Sequence, residues 1–296
     1  MQAERSSRLA LPPRDVASDT IDVSVVLPTL CEAENLPPLL GRIDRALAGR
    51  RYEGIVVDEA SGDGTAEVCA QLAGRFPLVL HIRQSPTDGL SGAVLAGFRM
   101  ARGRVLVAMD ADLQHPPEEL PNLITPILSG DADFVIGSRY VRGGRIGQRW
   151  SLFRRLNSWL ATLMARPLVG RVADPMSGFF AIRREVFAKA TALNPIGYKI
   201  ALELMCKCPI RELREIPIEF GQRAHGCSKL TLKQQKAYLQ HVWRLYAYRF
   251  PAAGWAVDRL ARFVQRLAHR SRPGGPRVRA ADAVPLDDSS CRQVCS

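Results

Sequence analysis

The hydrophobic residues of the chain alternate between short unbroken runs and stretches of helical spacing. Apolar runs at 22–28, 55–58, 78–82 and 104–109 are typical of strands that are buried on both faces. Between the first two runs, residues 36–48 place apolar side chains three or four positions apart, which predicts an amphipathic helix. The repeated order of strand and helix predicts an α/β fold with a mostly parallel sheet and helices on both faces.

The second half of the chain continues this pattern with longer helices. Helical spacing predicts helices at 118–128, 150–166, 200–208 and 233–250, and the apolar run at 133–137 predicts another strand. The remaining predicted elements are a strand or bend at 174–180, a short helix at 183–190, a strand at 214–220 and a helix at 255–269.

These elements divide the chain into four predicted parts. Residues 1–20 are polar and are predicted to be a flexible arm, and 21–250 is predicted to be one large α/β domain. Residues 251–270 are predicted to be a basic amphipathic helix, and 271–296, rich in proline, glycine and arginine, a disordered tail. No run of about 18 apolar residues is present, so the sequence predicts no transmembrane helix.

The charge of the chain narrows the choice of partners. A net charge of +12 predicts an anionic partner, which is a nucleic acid, a phosphorylated substrate or a lipid headgroup surface. Seven arginines and no acidic residue lie between Arg259 and Arg279, but no aromatic platform is interleaved with them, which disfavours nucleic acid. The seven cysteines are scattered and lack zinc-ligand spacing, which predicts a reducing, cytoplasmic location.

The end of one predicted strand carries the sequence Asp110-Ala111-Asp112, with Gln114 two residues further on. Two carboxylates and an amide are hard oxygen ligands of the kind that Mg²⁺ or Mn²⁺ prefers, and a cation held in this way can bridge phosphates. The alternative is that both aspartates only end the strand and cap a turn. The pattern Asp-X-Asp does not decide between these hypotheses by itself.

Three polar strand ends are predicted to meet at one edge of the sheet. Pro28–Glu32, Asp58–Asp63 and Asp110–Gln114 each follow a predicted strand. Open parallel sheets bind ligands at the carboxyl ends of their strands. The convergence of three carboxylate-bearing loops therefore favours a site for a metal and a nucleotide diphosphate.

Six short motifs extend this interpretation over most of the chain. They are Leu27–Asn35, Val57–Thr65, Met109–Pro116, Gly137–Tyr140, Asp174–Phe179 and Arg223–Leu230. Each motif is weak alone, but together, in this order and over residues 22–248, they resemble the family-2 glycosyltransferases. Within that family they are most similar to the dolichol-phosphate (polyprenol-phosphate) mannosyltransferases.

The resemblance implies a GT-A fold for residues 21–250, with a nucleotide-sugar site at the carboxyl ends of the strands. It implies GDP-mannose as donor, Mg²⁺ or Mn²⁺ as cofactor and a polyprenyl phosphate as acceptor. The expected reaction is a direct displacement with inversion at the anomeric carbon. A lipid acceptor further implies peripheral contact with the cytoplasmic face of a membrane, with a separate membrane-anchoring protein as one conceivable partner.

The resemblance also implies roles for individual residues. The implied catalytic residues are Asp110, Asp112 and Arg139, and the implied metal ligands are Asp110, Asp112 and Gln114. Contacts with the donor nucleotide are implied for Pro28, Leu30, Glu32, Val56, Asp58, Asp110, Ala111 and Asp112. Binding of phosphate or acceptor is implied for Arg139, Arg154, Arg223 and Lys229. His115 is expected to be a packed or capping residue, and Asp174 either positions a substrate or caps the turn at Pro175.

Departures from the family pattern leave alternatives open. Leu30-Cys31 stands where the family usually has Tyr-Asn, and Glu59 stands where a second Asp is common. The alternatives are transfer of another sugar from a UDP-sugar to polyprenyl phosphate, and a non-catalytic nucleotide-binding subunit of a membrane complex. The predicted helices at 150–166 and 255–269 have an apolar face and an arginine-bearing face, typical of interfacial helices. For 150–166, ordinary core packing is the alternative.

Overall fold

The computed structural model of the protein describes residues 8–9, 20–84, 89–147, 152–222 and 232–251. The strands are β1 (Arg8–Leu9), β2 (Val23–Thr29), β3 (Tyr52–Asp58), β4 (Leu78–Ile82), β5 (Val105–Ala108), β6 (Phe134–Ser138), β7 (Arg145–Ile146), β8 (Phe180–Arg183), β9 (Leu213–Pro217) and β10 (Glu219–Phe220). The helices are α1 (Leu36–Ala46), α2 (Thr65–Leu72), α3 (Gly89–Met100), α4 (Leu120–Leu128), α5 (Leu152–Val169), α6 (Arg184–Ala188), α7 (Ile200–Lys207) and α8 (Leu232–Arg249).

The main sheet contains eight of these strands in the order β1-β4-β3-β2-β5-β8-β6-β9, and β7 pairs with β10 separately. β2 is parallel to both β3 and β5, β3 is parallel to β4, and β6 is parallel to β9. The predicted α/β fold with a mostly parallel sheet is therefore confirmed. Because β3, β2 and β5 are adjacent and parallel, their carboxyl ends lie side by side.

Two strands run against the others, and the sequence pattern did not indicate their direction. β8 is antiparallel to both β5 and β6, and the region predicted as a strand or bend at 174–180 is a turn that leads into it. β1 lies within the predicted flexible arm and pairs antiparallel with the edge strand β4. A short apolar run has the same pattern in either direction, so the direction depends on the connections between strands.

The core has one layer on each face of the sheet because successive side chains of a strand point to opposite faces. All seven residues of β2 are buried. Val25 and Leu27 pack in the layer that includes the buried side of α1, whereas Val26 packs in the other layer with α3. Gly97 of α3 lies directly over Val26, where any β-carbon would overlap the valine side chain. This close approach positions α3 and the loop before it.

A third apolar cluster lies among α5, α7 and α8. It contains Ala165 and Leu168 of α5, Leu202 of α7, and Val242 and Leu245 of α8. Within the described residues, no helix is both long and apolar enough to cross a membrane. The boundaries at residues 20, 250 and 270 remain predictions, and the helix predicted at 255–269 lies outside the described residues.

Candidate active site

The loops that follow β2 and β3 form one hydrogen-bonded unit. The Cys31 backbone N–H donates to Ser61 Oγ at 2.8 Å, and the Ala33 N–H donates to Asp63 Oδ2 at 3.0 Å. Cys31 adopts a left-handed backbone conformation with φ 58°, which is unusual for a residue with a β-carbon. Two of the three strand ends predicted to converge are therefore joined directly.

Asp58 is the residue that shapes this edge. Its carboxylate is buried and accepts hydrogen bonds from Ser61 N at 2.8 Å, Ser61 Oγ at 2.6 Å and Thr29 Oγ1 at 3.1 Å. Both carboxylate oxygens thus bind the protein's own turn. The negative charge of Asp58 is held at the strand end, within the region that the sequence predicted for the nucleoside.

The other residues predicted to contact the nucleoside differ in position. Leu30 is exposed at the rim, and Glu32 accepts a 2.6 Å hydrogen bond from Asn35 Nδ2. Pro28 and Val56 are buried within their strands, and the Val56 side chain belongs to the apolar core. Leu30 and Glu32 are therefore accessible to solvent at least in part, whereas the Val56 side chain faces away from it.

The segment after β5 forms a tight turn that brings the predicted metal ligands together. Asp110 is 34% exposed, whereas Asp112 and Gln114 are buried. Leu113 between them has φ 65°, a strained conformation for a leucine. The Gln114 N–H donates to Asp112 Oδ1 at 3.1 Å, and this bond fixes the carboxylate within the turn.

The amide of Gln114 is oriented by the segment that follows β10. Gln114 Nε2 donates to the carbonyl oxygen of Gly221 at 3.2 Å, and the Gly221 N–H donates to the carbonyl oxygen of Gln114 at 2.8 Å. The side-chain nitrogen is thereby engaged, so the side-chain oxygen is the atom that remains as a ligand. Among the described residues, no three His, Cys, Asp or Glu side chains are grouped to hold a metal. A site of two carboxylates and one amide suits Mg²⁺ or Mn²⁺, which complete their coordination with water and phosphate oxygens.

His115 supports the turn from beneath. Its Nδ1 accepts a 3.1 Å hydrogen bond from the Asp110 backbone N–H, and its ring stacks on Phe179 at 5.3 Å between centroids. Burial lowers the pKa of His115 to about 4, so the imidazole is neutral at pH 7 with its proton on Nε2. The expectation that His115 is a packed residue agrees with this geometry.

The turn before β8 lies against Asp110. A β-carbon on Gly178 would be 3.2 Å from Asp110 Oδ2 and 3.3 Å from His115 Cε1. A larger residue here would therefore require the Asp110 carboxylate or the His115 ring to shift by a few tenths of an ångström. The segment from Asp174 to Phe179, predicted as a motif, therefore forms one wall of the site.

Asp174 has a partner that the sequence did not reveal. Its fully buried carboxylate accepts from the Arg139 backbone N–H at 3.0 Å, from Arg139 Nε at 2.7 Å and from Nη2 at 2.8 Å. The backbone N–H of Asp174 is held in turn by Glu215 Oε1 at 3.0 Å. Arg139 also lies over the Phe220 ring at 5.3 Å. Asp174 thus fixes the plane and direction of the arginine that follows β6.

The structure describes little of the other residues that were predicted to bind phosphate. Arg154 is in the first turn of α5, but its side chain is outside the described part of the structure. Arg223 and Lys229 lie outside the described residues. The structure therefore places Asp110, Asp112 and Gln114 in one turn and fixes Arg139 on Asp174, and it describes no contact for the other three cations.

Comparison with known proteins identifies the family. The model of glycosyl transferase family 2 matches residues 24–191. The chain belongs to this family. It is 45% identical over 244 residues to a dolichol-phosphate mannosyltransferase of Pyrococcus furiosus, covering 81% of this chain and 67% of the relative. It is 36% identical over 218 residues to an undecaprenyl-phosphate mannosyltransferase of Micrococcus luteus, covering 71% and 87%.

A solved structure shows the same fold. It is glucosyl-3-phosphoglycerate synthase from Mycobacterium tuberculosis in complex with Mn²⁺, UDP-glucose and phosphoglyceric acid. The TM-score is 0.54 at 22% identity, over 77% of this chain and 79% of that chain. The expected GT-A fold and the expected glycosyltransferase class are thus confirmed for this family-2 protein.

Two charged groups at this edge were absent from the predicted site. Arg83, directly after β4, pairs with Glu59 at 3.3 Å, and both side chains are largely buried. Lys199 donates to the carbonyl oxygen of Met176 at 2.8 Å, inside the turn that faces Asp110. A signal for Arg83 was available, because it follows a strand whose carboxyl end meets the same edge. Lys199 gave no comparable signal, since it lies in an irregular segment.

Proposed function

We propose that this glycosyltransferase moves mannose from GDP-mannose to a polyprenyl phosphate, with Mg²⁺ or Mn²⁺, at a membrane surface. The observation that carries the proposal is the Asp110–Gln114 turn, where two carboxylates and an oriented amide lie at the end of the central strand β5. The names of the relatives, dolichol-phosphate and undecaprenyl-phosphate mannosyltransferase, support the sugar and the class of acceptor.

The proposed metal ligands are Asp110, Asp112 and the side-chain oxygen of Gln114. A bound cation would neutralise charge on the leaving diphosphate. The protein's contribution is orientation, because Asp112 is fixed by the Gln114 N–H and the Gln114 amide is fixed by Gly221. The main-chain N–H of Asp110 is likewise fixed by His115.

The proposed donor site lies across the ends of β3, β2 and β5. Leu30 and Glu32 border the nucleoside from the loop after β2, and the buried charge of Asp58 lies beneath it. Pro28 and Val56 form the rigid strand ends that carry these groups, and Ala111 lies along the ribose and diphosphate. The nucleoside therefore rests on a preformed edge of the sheet.

A phosphate acceptor explains the balance of charges better than a sugar hydroxyl. A phosphate monoester has a second pKa of about 6 and is largely anionic at pH 7, so it needs no base to remove a proton. His115 is buried, neutral and engaged by the Asp110 N–H, which makes it unsuited to that task. In the proposal, Arg139, Arg154, Arg223 and Lys229 bind phosphate, and the acceptor oxygen displaces the diphosphate with inversion.

The outer face of α5 and α8 supports membrane contact. This face consists of Trp159, Leu160, Leu163, Leu239 and Trp243, all of which are exposed, and Trp159 is 62% exposed. Neither helix sequence contains an acidic residue. Exposed tryptophan and leucine on a basic background are typical of helices that lie in a membrane interface.

The burial pattern of α5 also addresses the alternative that the predicted helix at 150–166 packs in the core. The inner side of α5 does pack, with Ala165 and Leu168 buried, while the outer face remains exposed. Core packing therefore describes the inner side of this helix, and the interfacial role of its exposed side is part of the proposal. Peripheral binding at the cytoplasmic face, with or without a separate anchoring protein, remains part of the proposal.

The proposal is tested by incubating the protein with radiolabelled GDP-mannose, Mn²⁺ and a short polyprenyl phosphate, and then extracting the lipid. We expect label in the lipid phase that depends on the acceptor. Parallel reactions with UDP-glucose test whether the departures from the family pattern at Leu30 and Cys31 change the donor. Transfer from the UDP-sugar alone would replace mannose in the proposal. Absence of transfer from every donor, with nucleotide binding retained, would instead support a non-catalytic subunit.

A further inference from the structure

A buried network of charged and polar side chains connects α7 and α8. Glu203 Oε2 accepts a 2.7 Å hydrogen bond from His241 Nε2, and both side chains are 1% exposed. Glu203 Oε1 accepts from Lys207 Nζ at 2.7 Å and from the Asn194 backbone N–H at 2.8 Å. Burial raises the pKa of Glu203, but the hydrogen bonds from His241 and Lys207 outweigh it and the pKa is lowered, so the carboxylate is charged.

Helix stability alone is a poor explanation for this network. A buried charged group is costly to desolvate, and replacement of such networks by apolar side chains is often neutral or stabilising. The imidazole of His241 is also only partly satisfied in hydrogen bonding, because its buried Nδ1 has no partner within the described residues. The network instead fixes the position of α8 relative to α7, because a short hydrogen bond defines the relative position of two helices more narrowly than apolar contacts do.

The position of α8 matters because of what precedes it and what it carries. α8 begins at Leu232, shortly after the segment of Arg223 and Lys229, to which we assign binding of the acceptor phosphate. Its exposed Leu239 and Trp243 belong to the outer face that we assign to the membrane. The loops after β2 and β3 border different apolar clusters from the one that supports α8, although the latter includes Met176 of the turn that faces Asp110.

We propose that Glu203 and His241 are a positioning pair. Their hydrogen bond holds α8 in the position relative to α7 that use of the lipid acceptor requires. Within the described network, His241 is the one residue of α8 that bonds Glu203. The other two partners of Glu203 are Lys207, which is also on α7, and Asn194, which lies before α7. Substitution of His241 therefore removes the hydrogen bond between Glu203 and α8 without removing the other bonds of Glu203. The hydrogen bonds of Tyr238 and Tyr246 to α5, and of Tyr248 to Thr191, remain. This inference rests on the proposed function for the identity of the acceptor.

The test compares His241→Leu, which removes the donor to Glu203, with His241→Gln, whose amide can replace it. In the full-length protein, we expect His241→Leu to raise the KM for polyprenyl phosphate about tenfold while the KM for GDP-mannose stays within about twofold. His241→Gln restores the acceptor KM. Ser24→Ala is the matched control, because it removes a 2.7 Å hydrogen bond to the buried Glu53 between the interior strands β2 and β3.

Hydrogen–deuterium exchange provides a readout that does not depend on the reaction. We expect His241→Leu to raise exchange in residues 232–249 and to leave 52–58 unchanged, while Ser24→Ala leaves 232–249 unchanged. An unaltered acceptor KM, an equal rise in the KM for both substrates, or unaltered exchange in α8 would overturn the positioning role. A wild-type protein that transfers no mannose refutes the proposed function separately, and the exchange result still decides whether the pair holds α8.

Discussion

At the scale of single residues, the site depends on pairs that are distant in the sequence. The Asp110–Gln114 turn was predictable, because the proposed ligands are close together in the sequence and follow an apolar strand. The pairing of Arg139 with Asp174 was not predictable, since 35 positions separate the two residues and neither has a periodic pattern. Local motifs indicate which residues are candidates for binding or catalysis, whereas the hydrogen bonds that orient these residues depend on the fold.

The pair of Arg139 and Asp174 allows a direct comparison with an exposed pair of similar geometry. We expect Asp174→Ala to lower the free energy of unfolding by about 3–5 kcal/mol, because it removes the buried carboxylate that accepts three hydrogen bonds from the largely buried Arg139. Glu118→Ala removes the exposed partner of Arg42, which is bound at 2.7 and 2.8 Å, and should cost no more than about 1 kcal/mol. Urea unfolding of both variants measures the difference, and equal losses would show that Asp174 is not a structural anchor.

Gly178 tests whether the position of Asp110 controls metal binding. We expect Gly178→Ala to displace the Asp110 carboxylate and to weaken Mn²⁺ binding about 10–100-fold, with little change in overall stability. Gly74→Ala is the control, because the nearest atom to its new β-carbon is 3.9 Å away. Titration of Mn²⁺ in the presence of GDP gives the affinities. Equal affinity in the two variants would contradict the proposed role of Asp110.

At the scale of elements, unbroken apolar runs and helical spacing were sufficient to predict the strands and helices around the proposed donor site. They did not predict that β8 enters the sheet antiparallel between β5 and β6, because the direction of a strand depends on its connections. This insertion brings the turn containing Gly178 against Asp110. The element that prediction described least well is thus the one that completes the site.

Close packing of α3 on the sheet gives a prediction at this scale. We expect Gly97→Ala to destabilise the protein by about 1–3 kcal/mol, because the new methyl group would overlap Val26. Gly41→Ala, within α1 and with no atom within 4 Å of the new β-carbon, should stabilise by about 0.5–1 kcal/mol. Thermal unfolding of the two variants should therefore shift in opposite directions. A Gly97→Ala protein as stable as wild type would disprove the close approach.

At the scale of the whole molecule, the sheet and the cluster of α5, α7 and α8 have distinct apolar cores that meet at Val169 and Met205. Sequence patterns predicted the apolar faces of both long helices, but not which part of each face would be covered. Coverage depends on how the helices pack together, and the structure leaves Trp159 and Trp243 exposed. This exposed surface, together with the basic charge of the chain, links the enzyme to its proposed lipid substrate.

Vesicle flotation tests this link. We expect the wild-type protein to float with anionic vesicles, and the double variant Trp159→Ala and Trp243→Ala to lose most of that binding, because the interfacial aromatic surface is removed. The matched control replaces both tryptophans with phenylalanine, which retains an apolar ring at each position. Full binding by the alanine variant would show that α5 and α8 do not form the membrane contact.

The central claim is that the Asp110–Gln114 turn holds the cation on which mannose transfer depends. The most direct measurement is the rate at which wild type, Asp112→Ala and the exposed-site control Asp131→Ala transfer mannose from GDP-mannose to polyprenyl phosphate with Mn²⁺. We predict Mn²⁺-dependent transfer by wild type and Asp131→Ala, and a loss of at least about a hundredfold for Asp112→Ala. Transfer by Asp112→Ala at the wild-type rate would contradict the claim.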